Sequence, residues 1–137
     1  MSEYRVIEAK ICRLIELALS DKNSSDQLSF PVPKEAVERA WRKSFIDIRG
    51  YTCVIRANEI RHVKKEHGEE VWHICKIVYL LEKFSTIERS ITKDRITRKP
   101  ITSLVFMKKT EDNSIKIVKT NISRNKILRL KTLFEVM

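Results

Sequence analysis

Two of the three histidines in this 137-residue chain stand five apart in the basic stretch Asn58-Glu59-Ile60-Arg61-His62-Val63-Lys64-Lys65-Glu66-His67-Gly68. Imidazole titrates near neutrality and can give or take a proton, whereas lysine and arginine hold negative charge without titrating there. His62 and His67 among Arg61, Lys64 and Lys65 thus supply what metal-free cleavage of an RNA phosphodiester needs. The reaction requires a base for the 2′-hydroxyl, an acid for the leaving 5′-oxygen and cations for the doubly charged phosphorane. The same residues equally suit a plainer arrangement, with His67 packed at a helix end, His62 on the surface and the cations binding RNA without cutting it.

Other chemistries fit less well. His62, His67, His73 and Cys75 are near one another in sequence, but helical zinc ligands pair at i, i+3 or i, i+4. A separation of five turns His62 and His67 apart by roughly 140° on an ideal helix, so no metal is expected. Cys12, Cys53 and Cys75 are odd in number, widely spaced and set among Ile, Leu and Val. That pattern predicts buried, reduced thiols of a cytoplasmic protein, a setting that keeps a thiol protonated and inert. With only two glycines in the chain, a phosphate-cradling glycine loop is excluded, and no cofactor is expected.

The elements that must position the histidines follow from periodicity. Read as a helix, 58–67 places Ile60, Val63 and His67 on one stripe and His62 with Glu66 on another face, so His67 is the more enclosed. Gly68 then suits the positive φ that ends a helix. Upstream, Glu3 to Leu19 reads as an amphipathic helix through Ile7, Ile11, Leu14, Ile15 and Ala18. Leu28 to Val32 reads as a short extended piece, and a helix opens at Pro33 with Val37, Ala40 and Trp41 as its buried stripe. Tyr51 to Ile55 is a short strand. Downstream, Val71 to Phe84 reads as one central helix, Arg89 to Pro100 as an exposed loop or edge strand, and 101–109, 114–122 and 127–136 as an antiparallel meander. In the last strand, simple alternation puts Leu128, Leu130, Thr132, Phe134 and Val136 on one face, with Arg129, Lys131 and Glu135 on the other. The sum is a single α+β domain over residues 1–137, its helices packed on one side of a small C-terminal antiparallel sheet.

Charge is distributed unevenly. Residues 1–88 carry 15 Lys and Arg against 14 Asp and Glu, whereas 89–131 carry 13 against three. Such a concentration attracts polyanions, RNA first among them. The expected nucleic-acid contacts are Arg61, Lys64 and Lys65 on the helix and Arg95, Arg98, Lys99, Lys108, Lys116, Arg129 and Lys131 downstream. A solvated basic face, or one that binds an acidic protein, is the alternative. The residues at 1–5 do not form a secretion signal, and no apolar run is long enough to span a bilayer. A soluble, cytoplasmic chain without a membrane partner is expected.

The run Phe45-Ile46-Asp47-Ile48-Arg49-Gly50-Tyr51-Thr52-Cys53-Val54-Ile55, followed by Glu59-Ile60-Arg61-His62-Val63-Lys64-Lys65-Glu66-His67-Gly68, resembles the core signature of the phage barnase/EndoU/colicin/RelE-like nuclease families. Those domains lead from a "D-I-x-G-Y" segment through a strand into an "I-R-H-x-x-x-x-H-G" helix. The likeness extends through Ile74 to Ile87 and the closing Arg129-Leu130-Lys131-Thr132-Leu133-Phe134, and covers roughly 28–137, leaving 1–27 as a leading helix and loop. The resemblance implies a metal-independent ribonuclease that leaves 2′,3′-cyclic phosphate. It implies a phage effector or an interbacterial toxin acting in the cytoplasm of the producing or target bacterium, with RNA (transfer RNA included) as substrate and an immunity or inhibitor protein as partner. Carried over by position, His62 and His67 are the acid/base pair, Thr132 a phosphate or ribose contact, Arg61 a charge stabiliser and Lys119 an added lysine, with Lys108 second to it. The alternative implied by the basic 89–131 surface is a non-catalytic nucleic-acid-binding or phage/host interaction protein.

Overall fold

The computed structural model describes the backbone of residues 2–93, 96–109, 115–122 and 125–136, and the side chains of 5–93, 96–109 and 125–136. The chain runs α1 (Ser2–Ser20), β1 (Gln27–Pro31), α2 (Lys34–Ser44), β2 (Thr52–Arg56), α3 (Ala57–His67), a 3₁₀ segment (Gly68–Lys76), α4 (Ile77–Lys83), then β3 (Thr86–Lys93), β4 (Pro100–Lys109), β5 (Ile115–Ile122) and β6 (Ile127–Val136). The α+β architecture is as expected, but the sheet is larger than the C-terminal meander. Among the described residues six strands join in the order β1-β2-β6-β5-β4-β3, and β2 lies parallel to β6 while the other pairs are antiparallel. The early strands join the meander through β6, where β2 pairs with the three residues Ile127 to Arg129.

One apolar cluster joins the helices to one face of the sheet. Ile11, Leu14, Ile15 and Ala18 of α1, Ile60 and Val63 of α3, Ile74 of the 3₁₀ segment and Val78 and Leu81 of α4 meet Cys53, Ile55, Leu104, Phe106, Leu128, Leu130 and Leu133. Ile60 and Val63 are fully buried, and each such side chain contributes about 1.5–3 kcal/mol through area removed from water. The helical stripe read for α1 and the Ile60–Val63 part of the stripe read for α3 are therefore the stripes that pack.

Three expectations are corrected. Trp41 is 56% exposed, and α2 buries Ala36 and Ala40 instead. The long central helix expected at 71–84 is two elements, a 3₁₀ stretch to Lys76 and α4 from Ile77, and Trp72 is exposed. In the 3₁₀ stretch residues three apart eclipse one another, which lines up Glu70 and His73 along β6, as described below. Finally, the simple alternation read for β6 breaks at a bulge. Lys119 pairs with Thr132 but Thr120 pairs with Leu130, so Lys131 is an extra residue. A bulge shifts the pattern by one, and Leu133, not Thr132, follows Leu128 and Leu130 into the core. Thr132 and Phe134 pass to the outer face of the sheet with Arg129.

Candidate active site

α3 follows β2 directly and lies over the junction of the helix layer and β6. Its N-cap, Arg56, is extended (φ −110°, ψ 148°), and its C-cap, Gly68, sits at φ 62°, ψ −129°. That backbone conformation lies outside the regions L side chains occupy easily, which explains a glycine immediately after His67. While Ile60 and Val63 enter the core, Glu59 and His67 reach residues on the outer face of the sheet.

At the carboxyl end of α3, the His67 ring stacks on Phe134 with centroids 4.7 Å apart and planes 17° from parallel. Its Nδ1 lies 3.8 Å from Glu70 Oε2. The other oxygen of that carboxylate, Oε1, accepts the backbone N–H of Glu135 at 3.1 Å. Beyond Arg129, no strand among the described residues pairs with this edge of β6, and Glu70 takes the donor that a neighbouring strand would have taken. His73, one 3₁₀ turn further on, places Nε2 2.9 Å from Glu135 Oε1. Consecutive residues of β6 thus hold a histidine each: Phe134 takes His67 on the outer face, and Glu135 takes His73 on the helix side.

At the amino end of α3, Glu59 and Arg129 face each other, Arg129 Nε 3.9 Å from Glu59 Oε1. That separation is an ion-pair contact but too long for a hydrogen bond, and Glu59 Oε1 is buried with no hydrogen-bond partner. Burial pushes the Glu59 carboxyl above its ordinary pKa of 4.5, against the opposing pull of Arg129, Arg56 and His62. Thr132 Oγ1 is likewise buried and unpartnered. Thr132 lies between Arg129 and Phe134 on the same strand, so the outer face beside α3 presents, in order, a cation, an unpaired hydroxyl and a stacked imidazole.

The residues singled out in the sequence divide into two groups. His67, Thr132 and Arg129 come together on the outer face. His62 is exposed, one helical turn from Glu59 and within its electrostatic reach. Lys119 stands opposite Thr132 in the β5–β6 register, and its side chain lies outside the described residues, as does that of Lys116. Arg61 belongs elsewhere. Its guanidinium donates to the carbonyls of Ala18 (3.2 Å), Asp21 (3.3 Å) and Ser24 (2.9 Å) and to Asn58 Oδ1 (3.0 Å). It clamps the end of α1 and the following loop, and these partners turn it away from the outer face. Lys64 is paired with Glu69 at 2.6 Å, and Lys65 is exposed.

Lys108 shares a cross-strand row with Lys116 and Glu135, on the helix side of the sheet, not in the Thr132 row. Arg98, at φ 62°, and Lys99 are exposed beside the end of β3, an edge strand, and Lys131 is exposed at the bulge. Arg95 lies outside the described residues. Among the described residues no group of three or more His, Cys, Asp or Glu side chains is placed to hold a metal ion, and no helix is long and apolar enough to cross a membrane.

Sequence reasoning missed Glu59 and Glu70. The signal for Glu59 was its place one turn before His62 on the same helix; its burial depends on β6, seventy residues downstream. Glu70 sits three residues after His67, and only the 3₁₀ geometry and the free edge of β6 give that spacing a meaning. Comparison with protein-family models, with curated protein sequences and with solved structures finds no match to this chain.

Proposed function

We propose that the chain is an RNA endonuclease that cleaves by transphosphorylation, with the surface where α3 meets the outer face of β6 as its active site. The observation that carries this reading is the pair of buried, unpartnered oxygens, Glu59 Oε1 and Thr132 Oγ1, on a face that also holds Arg129 and His67. A buried polar group without a partner costs about 1–3 kcal/mol, and a bound ligand that supplies the partner recovers that cost. A phosphodiester with its riboses offers acceptors for the Thr132 hydroxyl and the Arg129 guanidinium, and the hydroxyl of a neighbouring, non-reacting ribose offers a donor for a carboxylate oxygen.

In this reading His67 is the general base. Phe134 fixes the plane of its ring, and Glu70, itself anchored by the Glu135 N–H, lies nearest Nδ1. A carboxylate 3.8 Å from Nδ1, beyond hydrogen-bond reach, favours only electrostatically the tautomer with its proton on Nδ1, the one whose Nε2 accepts a proton. His67 takes the 2′-hydroxyl proton, the 2′-oxygen attacks phosphorus, and the exposed His62 protonates the departing 5′-oxygen. The products are a 2′,3′-cyclic phosphate and a 5′-hydroxyl. Arg129 and Thr132 hold the phosphorane oxygens, and Glu59 keeps Arg129 in place. The resemblance of 45–55, 59–68 and 129–134 to phage-borne nuclease domains supports the roles given to His62, His67 and Thr132, though it implied Arg61 and not Arg129 as the charge stabiliser, and the excess of basic residues over 89–131 suits an RNA substrate.

The test is incubation of wild type and the His62→Ala/His67→Ala variant with total cellular RNA in EDTA, followed by sequencing of the ends. Cyclic phosphate ends from wild type and intact RNA from the variant are expected. Intact RNA in both, with salt-sensitive binding retained by the variant, would favour instead a non-catalytic RNA-binding protein that uses the basic strands.

A further inference from the structure

Cys12 of α1 and Cys75 of the 3₁₀ segment are 63 residues apart in sequence, yet their sulfurs lie 2.6 Å apart, the Cys12 thiol donating to Cys75 Sγ. A disulfide needs about 2.05 Å, so a shift of about half an ångström would bring the pair to bonding distance. Both thiols are half-buried, within reach of a small molecule, whereas Cys53 is 3% exposed. We propose that Cys12 and Cys75 are a reversible oxidation site, where a low-molecular-weight disulfide of the glutathione class joins α1 to the 3₁₀ segment through the juxtaposed sulfurs. The sequence pattern pointed to three inert thiols; the fold makes two of them neighbours.

The exchange runs in two steps. Burial above all, with the acidic Glu8 and Glu16 of α1, pushes the Cys75 thiol up to about 12, which disfavours its attack; the first attack is assigned to Cys12. Its thiolate attacks the small disulfide, forming a mixed disulfide and expelling one small thiolate. Cys75 then gives up its proton and attacks the Cys12 sulfur, forming the protein disulfide and expelling the second small thiolate. Two protein thiols are oxidised, one small disulfide is reduced to two thiols, and the two protons go to the departing thiolates. With Cys75 held protonated, closure is slow, on the order of minutes to hours.

The bond would fasten α1 to the segment whose Glu70 and His73 grip Glu135 of β6. Closing a loop of this length removes freedom from the unfolded chain, and the oxidised protein is expected to melt roughly 10 °C higher. The experiment exposes the folded wild-type chain to oxidised glutathione, digests it without reductant and identifies cross-linked peptides by mass spectrometry, with thermal melts in parallel. A single cross-link between the Cys12 and Cys75 peptides, a raised melting temperature and reversal of both by dithiothreitol support the proposal. The Cys53→Ser variant should respond as wild type does. Separate glutathione adducts on Cys12 and Cys75, or three thiols still open to alkylation after exposure, overturn it. Because the wild-type digest decides alone, a poorly folding Cys12→Ser variant would not obscure the result.

Discussion

On the side of α3 that meets α1, the Arg61 guanidinium donates to three carbonyls and an amide oxygen; on the side that meets β6, Arg129 reaches Glu59 only at 3.9 Å, and Glu59 Oε1 and Thr132 Oγ1 have no hydrogen-bond partner. The histidines repeat the contrast. His73 Nε2 lies 2.9 Å from Glu135, whereas His67 Nδ1 stands 3.8 Å from Glu70 and its ring is held by stacking. Buried polar groups that serve only the fold are satisfied by the fold. Two oxygens left unsatisfied where α3 meets β6 are where the proposed substrate would complete the set, and under that proposal the two arginines have different tasks.

The contrast breaks most visibly at the histidines. His67→Ala and His62→Ala are each expected to lower RNA cleavage by at least 10²-fold with the fold retained, checked by gel assay against circular dichroism. His73→Ala should cost stability and spare the activity of the folded fraction. Next come the arginines. Arg61→Ala is expected to destabilise by about 2 kcal/mol through the lost clamp and to leave cleavage per folded molecule unchanged, whereas Arg129→Ala should change stability by less than about 1 kcal/mol and reduce cleavage about 10- to 100-fold. Urea melts beside the cleavage assay read both, and the reverse pattern would exchange the roles assigned here.

Gly68→Ala tests the junction between α3 and the 3₁₀ segment. An added Cβ meets nothing within 4 Å, so the cost is conformational, arising from φ 62°, and about 1–2 kcal/mol of destabilisation is expected in the same melts. A smaller effect is expected at Glu59. Burial raises its folded pKa above 4.5, so the folded state holds the proton more tightly than the unfolded one. That contribution is complete at acid pH and is lost as pH rises through the folded value. Glu59→Gln should therefore melt about 1–3 °C above wild type near neutrality, the gap closing as pH falls toward 4.5; a gap independent of pH would contradict the assignment.

The helices were legible because their apolar spacing is local. Ile11, Leu14, Ile15 and Ala18 declare α1, and Ile60 and Val63 declare the buried side of α3, without reference to any other element. The sheet was legible in class but not in composition, since the parallel pairing of β2 with β6 depends on residues some seventy positions apart. The candidate site was legible in its residue types and not in its arrangement. The types and spacing of His62 and His67 suggested the chemistry, but the face on which Thr132 lies depends on one bulge residue, Lys131, that period-two alternation cannot reveal. Arg61 looked like a charge stabiliser because sequence shows its neighbours along the helix and not the carbonyls at the end of α1. Cys12 and Cys75 looked inert for the same reason.

Thr132 puts the central claim to its most direct test. Thr132→Val keeps the shape of the side chain and removes the unpaired buried oxygen, so melting temperature and RNA cleavage measured on the same preparation report the fold and the site together. The expected result is a variant as stable as wild type or more so, by up to about 1 kcal/mol, that cleaves RNA about tenfold more slowly. A less stable variant with undiminished cleavage would contradict the account, because the hydroxyl would then serve the fold and not a substrate.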